Sequence, residues 1–416
     1  MEVAAAGGVG SWELTSNSVM ATHALTPTDV PALGRLQQQA LIIGVIGLAA
    51  GIFGAMTNRD QFFQSWLIGF LFCLGLTLGS LGLLMLQHLS GGQWGMVGRR
   101  VFEAGSQNLP LMALFFIPIL FAMPTLFIWA RPEVVASDKI LQFKSSYLNV
   151  PFFMVRAAIY FAFWMFCAFL LNKWSTAQDK GQDALDPGSM VKFRTLSAPA
   201  LLFLVLTITF AVTDWVMSLD PHWFSTILGL IFVGGFGLSA FALTIAVLST
   251  VGPVGALAGR LNSRHFHDLG KLLLAFTMLW AYLNFSQFLI IWSGNLPEEI
   301  PWYIERMRGG WGVVAIALVV GHFALPFMLL LSQDVKKGPW LARVAIFILI
   351  MRLVDTIWLV GPTFAHEGFP IHWMDVAIPA GLIGVWLFFF TRTLRSRALM
   401  PLNDPFLKEA FAHDAH

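Results

Sequence analysis

Charged residues are scarce in this sequence. Asp, Glu, Lys and Arg make up 12% of its 416 residues, whereas hydrophobic residues make up 57%. An ordinary soluble domain carries about 25% charged residues. A chain of 46.0 kDa with so few charges cannot cover a water-exposed surface, so the composition excludes a soluble protein and predicts one that crosses a membrane several times. The net charge of +2 is also too small to indicate a nucleic-acid partner.

Cysteine is nearly absent. Cys73 and Cys167 are the only two, and both lie in apolar runs. The sequence has no CxxCH motif for covalent haem and no cysteine cluster for an iron–sulfur centre or structural zinc. Among the histidines, only His322 lies well inside an apolar run, so no pair of ligands is available for haem b. We therefore expect no metal and no redox cofactor in this chain.

The sequence contains many long apolar runs. A helix needs about 20 apolar residues to cross roughly 30 Å of hydrocarbon, and ten runs reach that length. The runs are continuous rather than alternating, which excludes a transmembrane β-barrel and predicts an all-α polytopic membrane protein with about ten transmembrane helices. The predicted spans cover residues 36–56, 62–87, 108–129, 151–172, 196–218, 223–249, 269–292, 309–332, 341–361 and 372–393.

The spans divide the chain into three parts. We predict an N-terminal cytoplasmic arm over 1–35, a transmembrane domain over 36–394 and a cytoplasmic C-terminal tail over 395–416. Of the 25 Lys and Arg residues, 17 fall on the side of both termini and six on the other side. The positive-inside rule therefore places both termini in the cytoplasm. The arm lacks a basic segment followed by an apolar core, so no cleavable signal peptide is expected.

Two local patterns give further expectations. Glycines recur in span 2 and span 6, including Gly75, Gly79 and Gly235, and such small residues predict tight helix packing. The string 265–268 (HFHD) is weak evidence for a metal site, and Asp268 is expected to cap the start of span 7.

Polar groups inside the spans are the candidate functional residues, because each ionised group costs several kcal/mol in hydrocarbon. Two interpretations remain open. One is a buried relay that passes protons or water. The other is a set of neutralising ion pairs, Arg156 with Asp214 and Arg352 with Asp355. The general behaviour of buried pairs of opposite charge favours the second interpretation for those four residues. A hydrogen-bonded core histidine is expected at His322. The candidates are Arg156, Tyr160, Asp214, Tyr282, Ser286, His322, Arg352, Asp355 and Asp375.

Several long strings resemble the ActF subunit of bacterial alternative complex III, over approximately residues 35–410. They are 91–104 (GGQWGMVGRRVFEA), 129–132 (WARP), 147–153 (YLNVPFF), 213–226 (TDWVMSLDPHWFST), 265–271 (HFHDLGK), 285–299 (FSQFLIIWSGNLPEE) and 401–405 (PLNDP). The family is related to NrfD-type membrane subunits. The resemblance implies two four-helix bundles plus two extra helices, in the bacterial inner membrane.

The resemblance also implies a function. Such a chain is a cofactor-free subunit of a quinol:electron-acceptor oxidoreductase, respiratory or photosynthetic, which supports assembly and takes part in proton translocation. Haem c and iron–sulfur clusters are then expected in partner subunits, with ActC as a second large membrane partner, menaquinol or another quinol pool nearby, and membrane lipid around the chain. No catalytic residue is implied. Two alternatives are direct quinol binding by this chain and a secondary transporter.

Overall fold

The structure is a computed structural model that describes residues 30–181, 188–253, 261–337, 339–364, 372–401 and 403–407. Residues 1–29 of the predicted arm over 1–35, and the tail beyond 407, lie outside the described residues, and the end of the predicted arm from Pro31 onwards is helical. Ten helices in the described part are long and apolar enough to cross a membrane. They are α1 (Pro31–Thr57), α2 (Arg59–Ser90), α3 (Gln93–Ser106 and Leu109–Phe121), α4 (Val150–Asp179), α5 (Ser189–Trp215), α6 (Leu228–Val251), α7 (Ser263–Gly294), α8 (Trp311–Ala317, Leu318–Ala324 and Leu325–Leu331), α9 (Trp340–Val360) and α10 (Met374–Arg395).

Shorter helices connect these spans. No strand is present among the described residues. The predicted all-α polytopic membrane architecture is therefore confirmed. The connecting helices are Met123–Leu126, Ile128–Ala130, Pro132–Ser137, Lys139–Lys144, Met217–Leu219, Ile300–Met307, Gln333–Lys337 and Gly361–Thr363.

The ten spans form two four-helix bundles and one helix pair. Helices α2, α3, α4 and α5 pack together as the first bundle, and α6, α7, α8 and α9 pack as the second. Helices α1 and α10 pack on each other and on α2. At the centre of the molecule α2 contacts α6, and these two helices are the most deeply buried spans. Large apolar side chains such as Val313 and Ile46 are exposed on the outer surface, as expected where a bilayer replaces water.

Glycine allows the two central helices to approach closely, as the sequence predicted. A Cβ atom at Gly79 would lie 2.0 Å from the carbonyl oxygen of Phe236, and one at Gly75 would lie 2.6 Å from its ring. Helices in lipid associate through van der Waals contact rather than the hydrophobic effect, so small residues at the interface matter more than in a soluble core. Contact between α2 and α6 therefore joins the two bundles.

The pair formed by α1 and α10 depends on a second set of glycines. A Cβ atom at Gly47 would lie 2.5 Å from the Cα atom of Gly381, and one at Gly384 would lie 2.5 Å from the backbone nitrogen of Gly44. The two backbones thus touch with no side chain between them. Because α1 begins and α10 ends on the same side, we call that side the terminal face and the other side the opposite face.

The third span begins much earlier than the sequence predicted. Residues 91–107 lie between the predicted spans 62–87 and 108–129, and the stretch includes the charged residues Arg99, Arg100 and Glu103. In the structure, Gln93–Ser106 is helical and almost entirely buried, and the three charged side chains pair with one another and with other buried groups. Charge inside a span is tolerated when it is paired in this way.

The residue that caps the start of α7 also differs from the prediction. Asn262 caps this helix, because its side-chain oxygen accepts hydrogen bonds from the backbone nitrogens of Arg264 (3.1 Å) and His265 (3.2 Å). Asp268 lies one turn further on and pairs with Lys271 at 3.2 Å. The prediction that Asp268 is the cap was therefore wrong, since an amide oxygen earlier in the chain reaches the free backbone N–H groups first.

Candidate functional site

A buried ion pair joins α4 to α5 in the first bundle. Arg156 Nε donates to Asp214 Oδ2 at 2.8 Å, and Arg156 Nη2 donates to Asp214 Oδ1 at 2.9 Å. Both side chains are at least nine-tenths buried. The pairing of Arg156 with Asp214 proposed from their depth is confirmed, and its two parallel hydrogen bonds have the bidentate geometry that fixes orientation as well as charge.

Tyrosines complete the surroundings of this pair. The Tyr160 hydroxyl donates to Asp214 Oδ2 at 3.0 Å, and Arg156 Nη1 donates to the carbonyl oxygen of Tyr147 at 2.9 Å. The guanidinium of Arg156 also lies 3.9 Å from the centroid of the Tyr147 ring, which adds a cation–π contact. Burial and the nearby charge of Asp214 raise the pKa of Tyr147 to about 12. Arg156 and Tyr160 thus donate hydrogen bonds to both oxygens of Asp214.

The second bundle contains a different buried pair. Arg352 Nη1 bonds Asp355 Oδ2 on the same face of α9, and both side chains are buried. The indole N–H of Trp280 in α7 donates to the same carboxylate oxygen at 3.2 Å. Gly235 in α6 makes room for the guanidinium, since a Cβ atom there would lie 2.3 Å from Arg352 Nη2. This confirms the predicted pairing of Arg352 with Asp355.

His322 lies beside this pair in an irregular part of α8. Residues Leu318–Ala324 form a π-helical segment, a form that is rare and often found at functional sites. The His322 ring is fully buried, with its centroid 4.1 Å from that of Trp280. Trp280 therefore contacts both the histidine and Asp355.

Several polar atoms in this second cluster have no hydrogen-bond partner among the described residues. They are both ring nitrogens of His322, Nε of Arg352 and Oδ1 of Asp355. No described residue supplies the hydrogen bond expected at His322, because the π segment places the ring against the face of Trp280 rather than against a polar group. Four unsatisfied buried atoms are unusual in one place, and they give the cluster spare capacity to bind water or a proton.

Asp375 belongs to neither cluster. Its Oδ1 accepts hydrogen bonds from Gln61 Nε2 (2.7 Å) and Ser65 Oγ (2.6 Å), so it joins the start of α10 to the start of α2. The remaining two candidates are also separate: Tyr282 is 66% exposed on the outer surface of α7, and Ser286 is half-buried. The structure thus brings six of the nine candidates into two clusters, one in each bundle.

A third cluster at the terminal face was missed by sequence reasoning. Arg99 bonds Glu103 (2.9 Å) and Asp404 (2.5 Å), while Arg100 bonds Glu103 (2.6 Å) and Asp179. Arg397 lies 3.6 Å from Glu103. Three guanidinium groups thus face three carboxylates where α3, α4 and the C-terminal segment meet. The spacing of Arg99, Arg100 and Glu103, three and four residues apart, is the signal that could have indicated a shared helix face.

This third cluster is expected to hold the C-terminal segment in place. The Asp404→Asn substitution removes one charge from a balanced, buried set, so the docked segment should lose about 1.5–3 kcal/mol, as for a hydrogen bond to a charged group. Trypsin cleavage after Arg397 should then become several-fold faster. The matched control is Asp268→Asn, which removes an exposed partner of Lys271 and should leave the cleavage rate unchanged. Equal cleavage rates in both variants and the wild type would show that Asp404 does not hold the C-terminal segment in place.

At the opposite face, a buried arginine holds the connecting helix Ile300–Met307 against the end of α9. Arg306 donates to the carbonyl oxygens of Trp302 (3.1 Å) and Leu359 (2.7 Å), and its guanidinium lies 3.6 Å from the centroid of the Trp302 ring. Burial lowers the pKa of Arg306 to about 9, so it remains a cation at neutral pH. It therefore ties this short helix to the end of α9 through backbone carbonyls and an aromatic ring.

A second contact joins connecting segments at that face. His222 Nε2 lies 2.6 Å from Asp138 Oδ2. The backbone N–H of Leu141, together with His222, lowers the pKa of Asp138, which caps the helix Lys139–Lys144. Among the described residues, no group of three or more His, Cys, Asp and Glu side chains could hold a metal ion.

Comparisons with protein-family models and with curated proteins find no match for this chain. The fold and its buried clusters nevertheless define a class: an all-α, multi-pass membrane protein of two four-helix bundles, each with a buried arginine–aspartate pair.

Proposed function

We propose that this chain is an ActF-type membrane subunit of an alternative complex III, which supports the assembly of a quinol-oxidising electron-transfer complex. The observation that carries the proposal is the arrangement of ten spans as two four-helix bundles plus one helix pair, because the resembling strings imply that same arrangement. Those strings supply the particular family. The buried Arg156–Asp214 pair is consistent with a rigid supporting role, since a bidentate pair between α4 and α5 fixes the relative position of these two helices.

The proposal includes location and partners. The chain lies in the bacterial inner membrane with its terminal face in the cytoplasm, as the distribution of Lys and Arg indicates. Its partners are ActC and subunits that carry haem c and iron–sulfur clusters, with a menaquinol or other quinol pool nearby. This chain carries no redox cofactor of its own in the proposal.

Purification from the native membrane tests the assembly directly. After mild solubilisation and blue-native separation, we expect this chain to migrate with a haem-stained multihaem subunit, both identified by their peptides. A secondary transporter would instead migrate alone or as a homo-oligomer, without haem-stained partners. Migration alone would therefore overturn the proposal. Quinone found against this chain in the purified complex would favour direct quinol binding.

Within this function, the second cluster is the better candidate for proton transfer. In the first bundle, both oxygens of Asp214 accept hydrogen bonds from Arg156 or Tyr160, so the pair is complete. In the second bundle, His322 has two unpartnered nitrogens, and an oxygen of Asp355 is also free of hydrogen bonds within the described part of the chain. A group that receives and releases protons needs such open positions, and intramembrane histidines and carboxylates are the usual carriers.

A proton-to-electron ratio tests this assignment. In vesicles containing the whole complex, His322→Phe and Asp355→Asn should each lower the number of protons moved per electron by half or more, because each removes a proton-binding group. Asp214→Asn is the matched control: it should reduce the yield of complex but leave the ratio unchanged. The ratio is measured per assembled complex, on c-type haem. An unchanged ratio in both second-bundle variants would eliminate proton transfer through this cluster.

A further inference from the structure

A long cleft lies on the outer surface between α1, α9 and α10. Its volume is about 380 Å³. Its walls are almost entirely aliphatic, and Ile43 and Val376 on its rim are more than half exposed. The cleft lies at the depth of the membrane-spanning helices, where hydrocarbon rather than water is the solvent. Its occupant must therefore be largely apolar.

The stripe of α10 residues along the cleft is about as long as one leaflet of a bilayer is thick, while the α1 residues that line the cleft, from Leu36 to Ile43, lie towards the terminal face. Along α10 it follows one stripe of residues from Val376 to Leu387, which is about 17 Å at 1.5 Å per residue. Half of a hydrocarbon core of roughly 30 Å is about 15 Å. The stripe starts in the first turn of α10, at the opposite face. A single acyl chain from a lipid of that leaflet would fill this length.

A carboxylate closes the cleft at the level of the lipid head groups. Asp375 lines this end, and no Lys or Arg nitrogen in the described ranges lies within 4.0 Å of it. Its hydrogen bonds come from Gln61, Ser65 and the backbone nitrogen of His372 (3.1 Å). An ionised carboxylate offers about four acceptor positions, so room remains for one more donor. An ammonium group supplies that donor and the missing positive charge.

We propose that this cleft binds one phosphatidylethanolamine molecule of the opposite-face leaflet, with an acyl chain along α10 and the ammonium group on Asp375. Charge decides between common head groups: phosphatidylglycerol carries a phosphate but no cation, so Asp375 repels it. Such a lipid would fill the gap between the α1–α10 pair and the second bundle. This inference depends on the cleft alone and holds whatever complex the chain belongs to.

Native mass spectrometry of the purified, delipidated full-length chain tests the site. After addition of equal amounts of phosphatidylethanolamine, phosphatidylglycerol and an isoprenoid quinone, the wild type should retain one phosphatidylethanolamine. Ala380→Trp fills the cleft and should reduce that retention at least tenfold, and the milder Ala380→Leu should reduce it in part. Val313→Trp, on the lipid-facing surface of α8, is the matched control and should retain it. Melting temperatures confirm that each variant is folded.

The head-group contact is tested separately. Asp375→Asn keeps one oxygen that can accept from Gln61 and Ser65 but loses the charge and the acceptor of the His372 N–H, so lipid should still bind while the preference for phosphatidylethanolamine falls at least fivefold. Wild-type retention in Ala380→Trp, an unchanged preference in Asp375→Asn, or retention of an isoprenoid quinone in place of phospholipid would each overturn the proposal.

Discussion

Replacing Asp214 with alanine should destabilise the protein by about 3–5 kcal/mol, because the change leaves the Arg156 guanidinium buried without its carboxylate. Removing one member of a buried pair is much more damaging than removing both, since the remaining charge keeps its desolvation penalty. Tyr160 loses its acceptor in the same variant. The free energy of unfolding, measured by denaturant titration in mixed micelles, checks this value.

The double variant Arg156→Met with Asp214→Leu is the control for that result. Two apolar side chains of similar size need no counter-charge, so most of the lost stability should return, apart from about 1 kcal/mol for the unpaired Tyr160 hydroxyl. If the single variant loses less than 1 kcal/mol, the pair is not a structural element of the first bundle. If the double variant is as unstable as the single one, the loss comes from packing rather than from the unpaired buried charge of Arg156.

Replacing Gly47 with leucine should be nearly as damaging, at about 3 kcal/mol, the upper end of the usual range for overpacking. Its Cβ atom alone would lie 2.6 Å from the carbonyl oxygen of Ala377 and 2.5 Å from Gly381. The obstacle is backbone on a packed helix, so no side-chain rotation can relieve it. Helix α1 must move away from α10, and its contacts in lipid depend on that close approach.

The neighbouring position provides a matched control for the glycine variant. Ile46 is 63% exposed on the lipid-facing side of α1, so Ile46→Leu should leave the melting temperature within one degree or so of the wild type. The measurement is the melting temperature of the solubilised protein followed by size-exclusion chromatography. A Gly47→Leu protein that melts with the wild type would show that the α1–α10 contact contributes little to stability.

Part of the candidate site could be predicted from sequence, because charged residues are costly in hydrocarbon and therefore rare in membrane spans. Arg156, Asp214, Arg352 and Asp355 stand out in apolar runs, and opposite charges at similar depth predict pairing. The partner of Asp355 could be inferred from its spacing to Arg352 on one helix. The partner of Asp214 lies on another helix, so only a similar depth pointed to Arg156.

The predictions from sequence that differ from the structure also have physical causes. The charge of Arg99 lowers the hydropathy of its segment, although Glu103 on the same helix and two carboxylates elsewhere in the chain neutralise Arg99 and Arg100 inside the protein. The state of His322 depends on a π-helical register and on Trp280 of another helix, neither of which leaves a local sequence signal. Tyr282 has the chemistry of a relay residue but points outward, because one residue in a helix turns a side chain by about 100°.

The sequence alone determined the environment and the number of crossings. Scarce charge and ten apolar runs are sufficient for that, since the thickness of the bilayer fixes the length of each span and the absence of water fixes its helical form. Only the tertiary structure decided which charges meet, which polar atoms remain unpaired and where a lipid-sized cleft remains. Those outcomes depend on how helices distant in sequence pack, and glycines such as Gly47, Gly79 and Gly235 set the distances at which they do so.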